Sequence, residues 1–253
     1  MKENITVPAV ERALDVLEYL SVADEAKTLK EMAEDLGIPA ASLFRIMKNL
    51  AFRGYVLQSE KQPVQYSLGY KFSQLAARLA DKASIGSLVR PDMEWLSRES
   101  GQTTQFAVRR GNDVIYIEQV LSQAPVNLIA HLYTPMAPNT SAGAKCILSQ
   151  MTVENQEMIL GDCILEKNTK YTITDRKEFL RELTLTRERG YGTDKEEFSL
   201  GVGCIAVPVT GKDGECAGAV GITGRIDEYR DEDRFLFLRS LVEEAGKRIG
   251  RKL

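Results

Sequence analysis

The chain has 253 residues, 43% hydrophobic and 27% charged, with a net charge of −3. This is ordinary globular composition, enough for one large domain or two modest ones. The sign of the charge argues against a protein that coats nucleic acid indiscriminately, though not against a local basic patch. No apolar run is long enough to span a bilayer, and the start MKENITVPAVERA has no signal-peptide core, so a cytoplasmic protein is expected.

The first predicted helix starts at Pro8, with Val10, Ala13, Leu14, Leu17 and Leu20 along one side. Arg12, near its start, is within reach of a phosphate in a DNA-binding reading and is otherwise solvated. After the loop Ala23–Ala26, the stretch from Lys27 to Gly54 reads as two short helices and a tight turn. Thr28 caps the first, whose apolar face is Leu29, Met32, Ala33 and Leu36, and Gly37 stops it. Pro39 suits the first turn of the second helix, which buries Leu43, Ile46, Met47 and Leu50. Its other face carries Ala40, Ala41, Ser42, Arg45, Lys48 and Asn49, with no carboxylate. A slim, donor-rich, cationic helical face suits a DNA major groove. The bland alternative is a packing unit with a solvated face.

Tyr55–Gln58, a polar tip from Ser59 to Pro63, and Gln65–Leu68 read as a β-hairpin wing. Helix, turn, helix and wing make a winged helix-turn-helix. From Gly37 to Lys71 the cations are Arg45, Lys48, Arg53, Lys61 and Lys71, and Glu60 is the only acid. Lys61 and Gln62 on the wing join Thr28 and the outer face of the second helix as the expected DNA-facing set.

A helix over Lys71–Ala83 carries the stripe Phe72, Leu75, Ala76, Leu79 and Ala83, and Ser84–Ser87 breaks the pattern. The expected division is therefore 1–70 as the winged domain, 71–84 as a linker helix and 85–253 as a second domain. There a helix over Val89–Ser100 precedes a hairpin, Thr103–Arg109 and Val114–Leu121, turning at Gly111–Asp113. Along its second strand, Val114, Tyr116 and Glu118 are expected to face away from Ile115, Ile117 and Gln119. Val126–Ala130 is a further strand candidate.

Helices are predicted from Ser141 and over Val153–Leu160. Asp175 caps another that points Phe179, Leu180, Leu183 and Leu185 inward. Val202–Val209 and Cys216–Thr223 flank an Asp213–Gly214 turn, and a final helix from near Asp231 carries Phe235, Leu238, Leu241, Val242, Ala245 and Ile249. The second half is thus α+β, a mostly antiparallel sheet with helices. Repeats and low-complexity tracts are absent.

Several segments together resemble the IclR (isocitrate lyase regulator) family of bacterial transcription factors. They are A-V-E-R-A-L-D-V-L from Ala9, I-P-A-A-S-L-F-R-I-M from Ile38, Y-S-L-G from Tyr66, T-S-A-G-A-K-C from Thr140, and R-G-Y-G-T-D-K-E-E-F-S-L-G-V-G-C-I-A-V-P-V from Arg189. The resemblance covers nearly the whole chain. It implies a GAF-like effector domain behind the winged helix, palindromic operators, and dimers or dimers of dimers. It also implies a small carboxylate or aromatic acid as effector. By motif, the effector site would hold Ser141, Ala142 and Gly143 at a helix N-terminus, where the dipole favours an anion. Asp194, Cys204, Gly221 and Thr223 would lie opposite, with Leu128 as an apolar wall.

The sequence departs from the family pattern at two places. Gly221 and Thr223 stand where many relatives carry serines, and Gly221 is expected to enlarge the space. Tyr133–Pro138 replaces a Gly-rich loop. Plainer roles stand beside these: Cys204 as a buried hydrophobe, Glu196 as an acceptor of backbone N–H groups, Ala142 and Gly143 as packing contacts.

Other functions find less support. The four cysteines, Cys146, Cys163, Cys204 and Cys216, form no C-x-x-C pair, and with His131, the only histidine, their spacing supports no metal site. Cys146 or Cys204 with His131 supplies the residue types of a nucleophile and base, but no third group orders them and no phosphate or dinucleotide fingerprint is present. An enzyme and a cofactor are therefore not expected. A DNA-binding regulator answering only to protein partners remains an alternative to the effector-controlled one.

Overall fold

A computed structural model of the chain describes residues 7–60, 62–80, 85–124, 127–161 and 163–253. Lys61, Val126 and the end of the expected linker helix, Asp81–Ser84, lie outside the described residues, as does the start of the chain. Contacts divide the chain into two compact units, residues 1–82 and 83–253.

The first unit runs α1 (Pro8–Ser21), β1 (Lys27–Thr28), α2 (Leu29–Leu36), α3 (Ala40–Phe52), β2 (Val56–Gln58), β3 (Gln65–Leu68) and α4 (Lys71–Ala80). Thr28 and Glu31 form a capping box at the start of α2: the Thr28 hydroxyl accepts from Glu31 N–H, and the Glu31 carboxylate accepts from Thr28 N–H at 2.7 Å. Gly37 ends α2 at φ +62°, a conformation that costs glycine nothing. The wing is a three-stranded antiparallel sheet, β1-β3-β2, because Lys27 and Thr28 pair with Tyr66 and Gln65. The core joins Val16, Leu20, Met32, Ile38, Leu43, Met47, Val56 and Tyr66. Along α1 the inward stripe starts one turn later than expected. Ala13, Val16, Leu17 and Leu20 turn inward, while Val10 and Leu14 are 54% and 52% exposed, since no described residue of this unit covers that side of the helix.

The second unit is a five-stranded antiparallel sheet in the order β5-β4-β8-β7-β6, with helices on both faces. Its strands are β4 (Thr103–Arg110), β5 (Asp113–Val120), β6 (Gly192–Lys195), β7 (Val202–Thr210) and β8 (Cys216–Arg225). On one face α5 (Ile85–Ser100), α9 (Ile226–Arg230) and α10 (Glu232–Gly250) bury Val89, Met93, Leu96, Leu238, Val242 and Ile249 against Phe106, Ile205 and Val220. On the other, α6 (Ala142–Ser149) sits on small residues, Ala107, Ala206 and Ala219, and α7 (Val153–Gly161) and α8 (Arg176–Arg189) pack behind it through Leu148, Ile159, Phe179 and Leu183.

Three expectations are corrected. First, Leu185 is exposed and Thr186 takes the inward position on α8, four residues after Glu182 and three after Leu183. Second, residues 127–130 are not strand. The Asn127 side chain is folded back into a turn, accepting from the Ser122 hydroxyl at 2.6 Å and donating to the Ser122 and Ala124 carbonyls. Third, the alternation along β5 breaks at a bulge: Phe106 pairs with Glu118, but the next residue, Ala107, pairs with Tyr116. The extra residue shifts the face of everything after it. Glu118 therefore joins Ile117 on the α5 side and meets Arg90, while Gln119 turns to the opposite face and accepts from Gln105 at 3.2 Å.

Candidate functional site

In the first unit, α3 presents Ala40, Ala41, Arg45, Lys48 and Asn49 to solvent, with Ser42 half-buried and Pro39 at the N-cap. These lie together because Leu43 and Met47, with Leu50 beside them, hold the opposite side of the helix to the core, and Ile46 is half-buried. Gln62 is exposed on the wing. Thr28 differs from the rest of the expected set, since its hydroxyl is engaged in the α2 cap. Two residues escaped the sequence reading. Phe44 is exposed beside Lys48, whose ammonium stands 5.3 Å from the ring centre, and Phe52 is 93% exposed, sharing a shallow concavity with Arg45, Lys48, Asn49 and Arg53. An exposed Phe inside an otherwise polar helical face was the available signal.

In the second unit, a chamber of about 270 Å³ lies between the sheet and the segment that leads into α6. Register assembles its floor. Asp194 pairs with Cys204, and Cys204 with Thr223, so one polar side chain from each of β6, β7 and β8 stands in a row. Hydrogen bonds extend the row across the sheet. The Cys204 thiol donates to Asp194 Oδ2 at 3.6 Å, the Thr223 hydroxyl donates to Gln105 Oε1 at 3.0 Å, and Gln105 Nε2 donates to Gln119 Oε1. Gln119 Oε1 also accepts the Ala130 N–H at 2.8 Å, which ties the covering segment to the floor. Leu128, Ile129, Met136, Val202 and Phe198 supply apolar wall.

Asp194 is fully buried, and its Oδ1 accepts the N–H groups of Glu197 (2.7 Å) and Phe198 (3.3 Å). Burial raises its pKa from the ordinary value, and those N–H groups and Lys145 act against the rise. Burial, with Asp194 beside it, likewise pushes the Cys204 thiol well up, so it is a neutral donor and not a nucleophile. At the other end Ser141 caps α6, its Oγ accepting Ala144 N–H at 3.2 Å, and the half-buried Tyr116 places its hydroxyl 3.3 Å from the same Oγ. Tyr116, Gln105 and Gln119 were missed in sequence because their place depends on strand pairing and on the β5 bulge.

Ala142, Gly143 and Gly221 do not line the chamber. They border an adjoining recess of about 10 Å³ under α6. Gly221 does not enlarge the space: a Cβ there would lie 2.7 Å from the Ala206 Cβ and from the Ile205 carbonyl oxygen. Gly143 is likewise a packing contact, its missing Cβ 3.3 Å from that of Ala107. Glu196 is structural, Oε1 accepting Gly201 N–H at 2.8 Å and Oε2 pairing with Arg230. Cys146 is buried on the sheet-facing side of α6, donating to the Ala206 carbonyl and accepting Gly192 N–H, each at 3.1 Å. Among the described residues no group of three or more His, Cys, Asp or Glu side chains could hold a metal ion. No helix there is long and apolar enough to cross a membrane.

A winged helix-turn-helix with a cationic outer face, followed by an α+β unit enclosing a small polar-floored chamber, defines a DNA-binding transcriptional regulator. Residues 9–60 match the IclR helix-turn-helix domain, and residues 77–251 match the bacterial transcriptional regulator IclR C-terminal domain. The chain belongs to the IclR family. It is 28% identical over 245 residues to the HTH-type transcriptional repressor AllR of Escherichia coli K12, covering 97% of this chain and 90% of that protein. Its fold is that of the Thermotoga maritima IclR crystal structure (TM-score 0.78, 23% identity, 96% and 98% of the two chains). It is equally that of an IclR homologue from Microbacterium hydrocarbonoxydans crystallised with 4-hydroxybenzoate (TM-score 0.80, 20% identity, 96% and 97%).

Proposed function

We propose that this regulator is an effector-controlled one: α3 reads the major groove of an operator, and a small carboxylate or aromatic acid in the chamber sets its operator affinity. The chamber, walled by apolar side chains and polar at two ends, carries this reading. A concave apolar site with a few convergent polar groups is the usual form of a small-molecule site, which favours an effector over control by protein partners alone. Ser141, the N-cap of α6, lines the chamber, and the positive end of the helix dipole beside it suits a carboxylate. Asp194, Cys204, Thr223 and Leu128 would complete the contacts. Ala142 and Gly143 would act by letting α6 approach the sheet closely, and Gly221 by letting β8 lie close against β7.

On the DNA side, Arg45 is the proposed base-reading residue, since its fork matches guanine. Ser42, Lys48 and Asn49 add phosphate or base contacts, Ala40 and Ala41 allow close approach, and Gln62 and Lys61 reach the backbone from the wing. The proposed working form is a cytoplasmic homodimer or dimer of dimers on a palindromic operator, with residues 71–84 linking residues 1–70 to 85–253.

Operator selection from random duplexes, followed by anisotropy titration with and without organic acids, tests this. Enrichment of a palindrome whose affinity changes with an acid is expected. A bound palindrome indifferent to every acid would return the protein to the partner-controlled class.

A further inference from the structure

A phenyl ring is an unexpected occupant of a helical face offered to water. On α3, Phe44 is 46% exposed and lies outside the apolar core of its unit. It follows Ala40 and Ala41 by four and three residues and precedes Lys48 by four, so all share one side of the helix. The Lys48 ammonium rests 5.3 Å from its ring centre. From Pro39 to Arg53 the chain carries Arg45, Lys48 and Arg53 and no carboxylate. The surface around the ring is thus cationic, which suits a polyanion and not a second copy of the same face.

Phosphates and most base edges are polar. The apolar feature of the major groove is the C5-methyl group of thymine, and Phe is among the side chains that contact it. Ala40 and Ala41 leave room for the close carbon–carbon approach, about 3.5–4.0 Å, that such a contact needs. Position along the helix agrees. Recognition helices reach base edges with their N-terminal residues. Phe44 lies in the first half of α3, whereas the more exposed Phe52 ends it, about 12 Å further along the axis.

We propose that Phe44 is a base-reading residue that recognises the 5-methyl group of a thymine, beside the guanine read by Arg45. This rests on the placing of α3 in the major groove above and adds a second base to what the helix reads. Phe44 and Arg45 are adjacent and point about 100° apart, so they address neighbouring base pairs. The ring acts by excluding water from the methyl group and neutralises no phosphate, so its contribution is independent of salt.

Deoxyuridine in place of thymidine removes that methyl group and nothing else. Each thymine of the palindrome obtained by operator selection is replaced in turn, in both half-sites, and binding of the full chain is titrated by anisotropy. One position should lose about fourfold for each half-site, the worth of one buried methyl group. Phe44→Ala, an exposed change to the strongest helix former, should bind thymine and uracil duplexes equally and keep the parent's salt slope. If every thymine is replaceable without loss while Arg45→Ala still weakens binding, the inference falls and the groove-reading helix stands. It falls equally if a methyl-sensitive position survives Phe44→Ala. It falls too if that variant loses affinity for both duplexes with a shallower salt slope, since the ring then only holds Lys48. Unchanged affinity in both the Phe44 and Arg45 variants overturns the inference and the reading beneath it.

Discussion

Lys145 on α6 donates its ammonium to the carbonyl oxygen of Thr193 on β6 at 2.8 Å, with no part of its side chain in contact with solvent. The same ammonium pairs with Glu197, so one buried cation holds both the strand and the turn that carry Asp194. A buried pair gains little over apolar residues of equal volume, but removing one partner strands the other. Lys145→Met should cost about 3–5 kcal/mol in urea unfolding, and adding Glu197→Leu should recover much of it. Equal stability of the single variant and the parent would mean that the pair is not desolvated as described.

Cys146 makes a pH dependence calculable. Burial pushes its thiol from 9.0 up to about 12. Above pH 9 the unfolded chain loses this proton while the folded one keeps it. The stability held below that pH is thus lost as pH rises toward 12, at about 1.4 kcal/mol per unit. Urea unfolding at pH 8 and pH 10.5 should show a steeper decline for the parent than for Cys146→Ala. Parallel declines would show that the thiol ionises freely in the fold.

At Gly221 itself β8 lies too close to Ala206 and the Ile205 carbonyl of β7 to admit a Cβ without displacement. Gly221→Ser should destabilise the protein by about 1–3 kcal/mol, through overpacking against Ala206. The companion change Ala206→Gly should relieve part of that cost, measurable in the same denaturation assay. A serine variant as stable as the parent would restore the view of Gly221 as open space.

On α3, Arg45→Ala should weaken operator binding by about 1–3 kcal/mol, and relax preference at the base pair it reads. Lys48→Ala should instead weaken binding to all sequences and shallow the salt dependence by about one unit of slope. Unchanged operator affinity in the Arg45 variant would remove α3 from the major groove.

Local chemistry in the sequence determined the winged unit almost completely. Thr28 with Glu31, Gly37, Pro39 and the 3.6-residue stripe of α3 each act within a few residues of themselves, so α3 and its outer face were legible. The sheet's hairpins, α8 and α10 were legible for the same reason. The chamber's position could be named only by family motif, through Ser141, Asp194, Cys204 and Thr223, because its walls come from strands far apart in the chain.

Tertiary structure alone decided what those walls do. The β5 bulge turned Gln119 onto the floor and Glu118 off it, and pairing register lined up Asp194, Cys204 and Thr223. Close approach of α6 to β4 at Gly143, and of β7 to β8 at Gly221, left no room for a side chain there without displacement. Periodicity and caps are short-range interactions written along the chain. Register, bulges and interlayer spacing arise from pairing between distant segments, where a shift of a single residue reverses which side of the sheet a side chain occupies.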